Sequence, residues 1–281
     1  MALIIHYTLS TIHSGRGLQK VIDIHTHILP GVDDGAKDLN ESLEIAREAE
    51  RQGVSTIVAT PHYMEEGYGI SPIETEKLVE KLQEEIDRAG IKVRILSGAE
   101  VYIMPNLAKR VKEGMVATIN NSRYILIEFP MTKIPDYTDD LLYDLKVMGY
   151  TPIIAHPERY REIQSNPNRL YYWVKSGLLA QINAGSLLGM FGSKVKETAE
   201  LLVDHNMVQL IASDLHSNTR RRECLEEGFS RLKERVAQRA ELYLKNAQTV
   251  INDGDVRVNG LCKYEQKRGL FDRLKRRLSF G

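Results

Sequence analysis

Short apolar runs rich in β-branched residues alternate along the chain with longer amphipathic stretches that end near a glycine. This alternation is typical of βα units, and the near-continuous hydrophobicity of the runs predicts parallel strands buried on both faces. The predicted strands cover residues 21–24, 54–60, 93–97, 124–129, 151–155, 179–183 and 207–212. The predicted helices cover residues 41–52, 72–89, 106–113, 138–148, 168–176, 193–205 and 223–245.

Polar or titratable residues follow every predicted strand. In a (β/α) barrel these positions lie on one face, where the active sites of that fold are found. An open, doubly wound sheet would not bring all of its strand ends to one point. We therefore predict an α/β fold of the (β/α) barrel type, an irregular TIM-like barrel with seven strands.

Histidines and carboxylates dominate these strand-end positions. His25 and His27 directly follow the first strand, and both can bind one metal ion because alternate strand residues point the same way. A single pair of this kind is equally well explained as buried structural histidines. However, Asp33 and Asp34 follow this pair in a turn, the same spacing recurs after the last strand, and further candidates follow other strands, which favours a metal site. Its candidate ligands are His25, His27, Asp34, His62, Glu100, Glu128, His156, Asp214 and His216.

Composition narrows the class of protein. The 281 residues have a formal net charge of zero and a pI near 7.1, so no overall field favours nucleic acid, and we expect no nucleic-acid partner. The two cysteines, Cys224 and Cys262, are too few for a disulfide framework and form no zinc-binding pair. Polar residues interrupt the apolar start of the chain, so we predict neither a signal peptide nor a spanning segment there. Together these features predict a cytoplasmic protein.

Residues 22–35 resemble the PHP (polymerase and histidinol phosphatase) family of trinuclear metal phosphoesterases, and within it the bacterial protein-tyrosine phosphatases of capsule and exopolysaccharide regulation. The resemblance extends from residue 21 to about 252, with matching blocks at 59–63, 155–159 and 213–216. It implies three divalent metal ions. It further implies that the first is held by His25, His27, Glu100 and Asp214, the second by Glu100, Glu128 and His156, and the third by Asp34, His62 and His216.

Imidazole and carboxylate ligands suit manganese, iron or zinc, and the resemblance favours manganese. Closely spaced divalent ions lower the pKa of a bridging water toward neutrality, so a metal-activated hydroxide is expected to attack phosphorus. Arg159 and Arg221 lie three residues after His156 and five after His216, where they could bind the phosphate. A phenolate leaving group needs little protonation, which is compatible with phosphotyrosine.

The resemblance also implies the partner, a bacterial tyrosine autokinase that controls capsule or exopolysaccharide synthesis. The alternative is a small-molecule phosphatase of the same superfamily, such as histidinol phosphatase. A binding module without catalysis is a third reading, but the full ligand set argues against it. Cys262 and Arg268 have the C-x5-R spacing of thiolate-dependent tyrosine phosphatases, yet Glu265 lies between them and the glycines of a phosphate loop are missing.

Three regions are predicted: an N-terminal extension (1–20), a phosphatase barrel (21–252) and a basic C-terminal tail (253–281). Val21 stands where members of the family begin with methionine, so we hypothesise that translation could start there. Residues 263–281 contain seven Lys or Arg and two acidic residues. Leu270, Phe271, Leu274 and Leu278 would lie on one helical face, and such a basic amphipathic segment can contact an anionic membrane or a partner, although a solvated, disordered tail is the commoner outcome for so short a run.

Overall fold

The structure is a computed structural model, and it describes residues 21–217 and 223–265. These residues form nine strands and ten α-helices. The strands are β1 (Val21–Thr26), β2 (Val54–Ala59), β3 (His62–Tyr63), β4 (Arg94–Ser97), β5 (Glu100–Tyr102), β6 (Tyr124–Glu128), β7 (Thr151–Ala155), β8 (Leu179–Asn183) and β9 (Leu210–Ala212). The helices are α1 (Leu39–Arg51), α2 (Pro72–Arg88), α3 (Leu107–Lys112), α4 (Thr138–Val147), α5 (Arg161–Ser165), α6 (Asn168–Lys175), α7 (Ala184–Leu188), α8 (Ser193–Asp204), α9 (Leu225–Val236) and α10 (Ala240–Ile251).

All strand pairs are parallel. A three-stranded sheet has the order β1-β2-β4, and a six-stranded sheet has the order β3-β5-β6-β7-β8-β9. Only two residues separate β2 from β3 and β4 from β5. Each pair therefore counts as a single strand of the ring that is interrupted once. A parallel bridge between Thr26 and Leu215 joins β1 to the segment after β9. The strands therefore make a ring of seven positions, and the α/β fold with parallel strands is confirmed.

The strands are buried on both faces, which explains their unbroken hydrophobicity. One face supplies an inner cluster that includes Ile22, Val58, Leu126 and Leu179. The alternate residues belong to a larger cluster between the strands and the surrounding helices. Because successive strand residues point to opposite faces, a ring of strands needs apolar residues at almost every position.

The chain departs from the predicted elements in several places, including the short helices α5 and α7, which were not predicted. The single helix predicted over residues 223–245 is wrong, because α9 ends at Val236 and α10 begins at Ala240. Arg239 lies in the break, where its guanidinium donates to the carbonyl oxygen of Val203 at 2.6 Å. The short strands β3 and β5 were not predicted. They resume parallel pairing after the interruptions at residues 60–61 and 98–99.

Residues 253–265, here called the C-terminal strap, cross the amino ends of the strands. The Gly254 carbonyl accepts from the Tyr124 hydroxyl at 2.6 Å, and the amide of Cys262 donates to the His205 carbonyl at 2.9 Å. Residues 1–20, Arg221 and the apolar face predicted at residues 270–278 lie outside the described residues. Within the described ranges, no helix is both long enough and apolar enough to cross a bilayer.

Candidate metal centre

The carboxyl ends of the strands bring the nine candidate ligands together at one end of the ring. Backbone hydrogen bonds set the register there. The amide of His27 donates to the Leu215 carbonyl at 2.9 Å, and the amide of Asp214 donates to the His25 carbonyl at 3.0 Å. These bonds place the ends of the first and last strands side by side, although the two segments lie far apart in sequence. We call the nine residues the histidine–carboxylate cluster.

The first group in this cluster consists of His25, His27, Glu100 and Asp214. Glu100 Oε2 lies 3.2 Å from His25 Nε2 and 3.3 Å from His27 Nε2. Asp214 Oδ1 lies 3.4 Å and 3.7 Å from the same two nitrogens. One ligand atom of each residue lies within 4.8 Å of the other three, and all four side chains are buried. Four donors thus surround one point.

A second group lies nearer the opening of the site. Asp34 Oδ1 is 3.4 Å from His62 Nε2 and 3.4 Å from His216 Nε2. His27 also belongs to this group by distance, because its ring lies between the first group and His216, with 3.7 Å between the two ring centroids. The Asp34 side chain is 51% exposed, so this group is the one that solvent reaches.

Glu100 connects the first group to a third. His156 Nε2 lies 2.8 Å from Glu100 Oε1 and 3.7 Å from Glu128 Oε1. His62 Nδ1 lies 3.1 Å from Glu100 Oε2 and 3.7 Å from Glu128 Oε2. The two oxygens of Glu100 therefore face different neighbours, as expected of a carboxylate that bridges two ions. His62, expected only in the group of Asp34, also borders this one.

The pKa shifts within the cluster run in opposite directions. Burial alone would raise the pKa of Glu100, but the His25 charge and hydrogen bonds from His156 and other histidines hold it well below its usual range. Burial, followed by the Glu100 charge, raises the pKa of Glu128 to about 7. Burial lowers the pKa of His27, yet its hydrogen bonds with Asp33 and Glu100 raise it to about 10. Buried carboxylates this close together require positive charge nearby.

Divalent ions fit this donor set. The donors are imidazole nitrogens and carboxylate oxygens, a combination that suits manganese, iron and zinc. They converge in three overlapping groups, and most of them are buried. A cation at each group would balance the carboxylate charge that burial makes costly. The arrangement can therefore hold several adjacent ions and bring them to one phosphate.

Two residues of the cluster have an unusual backbone. His156 has φ of 32° and Asp214 has φ of 53°, values in the left-handed region that non-glycine residues seldom adopt. Strain of this kind costs about 1–3 kcal/mol and is kept where the surrounding structure enforces it, often at functional sites. At both positions the turn directs the side chain toward Glu100 or the histidines rather than along the strand.

Several residues that were not among the nine candidate ligands support the cluster, and of these only Asp33 was noted in the sequence. Asp33 accepts from His27 Nδ1 at 2.7 Å and from the amides of Gly35 and His62, so it orients a histidine. Gln181 lies 2.9 Å from His25 Nδ1. Tyr68, 41% exposed, stacks on His62 with 6.1 Å between the ring centroids. The sequence could have revealed Gln181, because it is a polar residue inside an otherwise apolar strand.

Of the two predicted phosphate-binding arginines, the structure describes only Arg159. Its Nη1 lies 3.3 Å from Asp214 Oδ2, and its guanidinium stacks on the Phe191 ring at 5.1 Å. Its side chain is 22% exposed, so it borders both the cluster and solvent. Arg221 lies outside the described residues. Cys262 belongs to the C-terminal strap at the opposite end of the strands, which argues against the thiolate alternative.

Comparison with known proteins identifies the family. Residues 21–252 match the model of the family described as capsular polysaccharide synthesis, CpsB/CapC. The chain belongs to the CpsB/CapC family. Its relatives in this family include the tyrosine-protein phosphatase YwqE of Bacillus subtilis (strain 168), 40% identical over 238 residues that cover 82% of this chain and 93% of YwqE. The tyrosine-protein phosphatase CpsB of Streptococcus pneumoniae is 32% identical over 243 residues, 83% of this chain and 99% of CpsB.

The fold of this CpsB/CapC member also matches a solved structure. Crystal structures of YwqE from Bacillus subtilis and CpsB from Streptococcus pneumoniae, described as unique metal-dependent tyrosine phosphatases, include a chain that superposes with a TM-score of 0.84. The two sequences are 36% identical, and the match covers 87% of this chain and 100% of the other. A metal-dependent relative thus shares both the fold and much of the sequence.

Proposed function

We propose that this chain is a metal-dependent protein-tyrosine phosphatase. The observation that carries the proposal is the convergence of three overlapping histidine and carboxylate groups, two of which share Glu100. Its relatives in the CpsB/CapC family are named tyrosine-protein phosphatases, and one such structure is described as metal-dependent. The site and the relatives therefore support the same reaction, hydrolysis of a phosphate monoester.

We infer that the cluster holds three divalent ions, with manganese preferred over iron or zinc. The first ion would be bound by His25, His27, Glu100 and Asp214, the second by Glu100, Glu128 and His156, and the third by Asp34, His62 and His216. When bound, such ions supply a water of lowered pKa and neutralise the charge of the phosphoryl oxygens. Glu100, buried between two groups, keeps their members close together.

Side chains around the cluster are proposed to bind the substrate. Arg159 can donate two parallel hydrogen bonds to a phosphate oxygen pair, and Phe191 holds its guanidinium at the edge of the site. Arg221 is proposed as a second phosphate ligand. Tyr68 presents an exposed ring beside His62, where a phenyl group of the substrate can pack. Phenolate departs with little need of a proton donor, in keeping with a site made mainly of ligands.

The partner is proposed to be a bacterial tyrosine autokinase of capsule or exopolysaccharide synthesis, dephosphorylated in the cytoplasm. The family description, capsular polysaccharide synthesis, supports this setting. We retain the three predicted regions, 1–20, 21–252 and 253–281, and propose that the basic tail contacts an anionic membrane or the partner. No nucleic-acid substrate is proposed, because the chain has no net charge.

Hydrolysis of a tyrosine phosphopeptide tests the proposal. The comparison includes the wild type, His25→Ala and Cys262→Ser, each with chelator and with added manganese. We expect metal-dependent turnover that survives Cys262→Ser and is lost in His25→Ala. Turnover that resists chelator and disappears in Cys262→Ser would reject the metal mechanism. The relative kcat/KM for phosphopeptide and histidinol phosphate, measured on the same preparation, distinguishes the protein phosphatase from a small-molecule phosphatase.

A further inference from the structure

Strand β8 contributes none of the proposed metal ligands, yet two amide side chains at its carboxyl end face the cluster. Gln181 and Asn183 are both completely buried. They occupy alternate positions of the strand and therefore point to the same side of it. A buried amide costs free energy unless its donors and acceptors are paired, so this pair requires an explanation.

The two amides form a continuous hydrogen-bonded chain from His25 to Asp214. Gln181 Oε1 lies 2.9 Å from His25 Nδ1, and Gln181 Nε2 donates to Asn183 Oδ1 at 2.8 Å. Asn183 Nδ2 donates to Asp214 Oδ2 at 2.5 Å. Both ends of the chain are members of the same group, the one proposed to hold the first ion.

The carboxylate at one end fixes the direction of every bond in the chain. An ionised Asp214 can only accept, so Asn183 must turn its NH2 group toward it and its oxygen toward Gln181. Gln181 then donates from its nitrogen and has only its oxygen left for His25. The proton of His25 must accordingly reside on Nδ1. This leaves Nε2, which lies 3.2 Å from Glu100 Oε2, as the nitrogen of His25 that is available to an ion.

The same chain also sets the orientation of Asp214. Asp214 Oδ2 accepts the hydrogen bond from Asn183 Nδ2 and lies 3.3 Å from Arg159 Nη1. Asp214 Oδ1 instead faces His25 and His27. One oxygen is thus directed to protein donors and the other toward the histidines. The backbone N–H of Asn183 donates to the buried Glu158 Oε1 at 3.0 Å, which fixes the end of β8.

We propose that Gln181 and Asn183 are positioning residues that prepare the first ion site: they hold His25 in the tautomer with a free Nε2 and direct Asp214 Oδ1 toward it. This inference rests on the proposed function, since it concerns an ion that the phosphatase would bind. Neutral amides suit the task because they fix both ligands without adding a further charge to a buried cluster of carboxylates. Partners of metal ligands typically contribute about 10-fold to 100-fold to metal affinity.

Manganese affinity of the metal-stripped full-length protein, measured by competition with a chelator, tests the inference. The variant is Gln181→Met, which keeps the length of the side chain and removes both polar atoms. Gln209→Met is the matched control. Gln209 is also a buried glutamine, and it makes two hydrogen bonds, with the Ala180 amide and the Asn206 carbonyl, at the amino end of the strands. Thermal unfolding without metal is compared for both variants.

We expect Gln181→Met to weaken manganese binding by about 10-fold to 100-fold, and Gln209→Met to bind as the wild type does although it also loses buried hydrogen bonds. An affinity of Gln181→Met within twofold of the wild type would overturn the inference.

Two further measurements keep the outcome clear. If Gln181→Met does not fold, the same titration is made with Gln181→Asn, whose shorter amide does not reach His25. Nitrogen NMR of the His25 ring in the wild type loaded with diamagnetic zinc should show the proton on Nδ1, and an unprotonated Nδ1 would contradict the inference. A wild type that binds no manganese would instead reject the proposed function itself, and the two failures are therefore distinguishable.

Discussion

Arg159 illustrates how single residues at this site serve two partners. Its guanidinium lies 3.3 Å from Asp214 Oδ2 and stacks on Phe191, so its position is fixed before a substrate arrives. Part of the side chain remains exposed, which leaves donors for a phosphate. A planar guanidinium can bind two phosphate oxygens at once, whereas the ammonium of lysine acts as a single point charge. The role in phosphate binding therefore depends on the shape of the group as well as on its charge.

Replacing Arg159 by methionine should lower kcat/KM for a tyrosine phosphopeptide by about 10²-fold to 10³-fold, the usual cost of removing a donor that binds developing charge. Arg159→Lys should retain part of the lost activity. Manganese affinity should change little, because Asp214 keeps its hydrogen bond from Asn183 and its place beside His25. Steady-state kinetics at saturating manganese checks this expectation. Arg161→Met, at an exposed position of the next turn, is the control, and equal kcat/KM in all variants would contradict the proposed role.

At the scale of elements, the sequence pattern predicts the strands well because burial on both faces is a local property. All seven predicted strand positions are present, and the candidate ligands lie in or directly after the carboxyl-terminal parts of all of them except β8. The break between α9 and α10 was missed because no glycine or proline marks it; a contact from Arg239 to Val203 accompanies it instead. The bond between His25 and Gln181 joins residues 156 positions apart, so no local pattern could reveal it.

The turn after β1 is an element that depends on one glycine. A Cβ atom at Gly35 would lie 2.1 Å from the carbonyl oxygen of His27, which is backbone and cannot move aside. The turn also carries Asp33, which accepts from His27 Nδ1 at 2.7 Å, and the proposed ligand Asp34. A displaced turn would therefore disturb both the orientation of His27 and the outer group of the cluster.

Gly35→Ala should destabilise the protein by about 1–3 kcal/mol through overpacking and should also weaken manganese binding. Thermal unfolding and chelator competition measure the two effects. Gly53→Ala is the matched control, because Gly53 has φ of 80° with no atom near its Cβ position and precedes β2 at the opposite end of the strands. It should lose about 1 kcal/mol from backbone strain and keep its metal affinity. Unchanged metal affinity in Gly35→Ala would show that the turn does not position ligands.

At the scale of the whole molecule, the two ends of the ring of strands have different tasks. The carboxyl ends carry the histidine–carboxylate cluster, and the amino ends are covered by the C-terminal strap. Val256 and Val258 in the strap pack on the inner cluster that lines the ring. Asp253 accepts from the Arg123 amide at 2.8 Å, and the amide of Tyr264 donates to Asn168 at 2.9 Å. The strap thus stabilises the ring at a distance from the chemistry.

Truncation separates the strap from the basic residues that follow it. A chain ending at Glu265 should unfold at the same temperature as the full-length protein and hydrolyse phosphopeptide equally well. A chain ending at Asn252 should lose about 4 kcal/mol of stability or more, since the four strap hydrogen bonds named above contribute about 1 kcal/mol each and two partly buried valines are removed as well. This loss corresponds to a melting temperature lower by at least about 8 °C. Manganese affinity should be the same in both chains, because the cluster lies at the other end of the strands.

The full-length protein and the chain ending at Glu265 together test the proposed membrane contact of the basic tail. Full-length protein should co-sediment with phosphatidylglycerol vesicles at low salt and dissociate as salt rises, because residues 266–281 carry six Lys or Arg and one Asp. The chain ending at Glu265 should remain in the supernatant while it keeps its stability. Equal sedimentation of the full-length protein and the chain ending at Glu265 would reject the tail as the membrane contact. Equal melting temperatures of the chains ending at Glu265 and at Asn252 would reject the stabilising role of the strap. The chain ending at Glu265 lacks residues 266–281, and the chain ending at Asn252 lacks the strap as well. The first is therefore the control for the second.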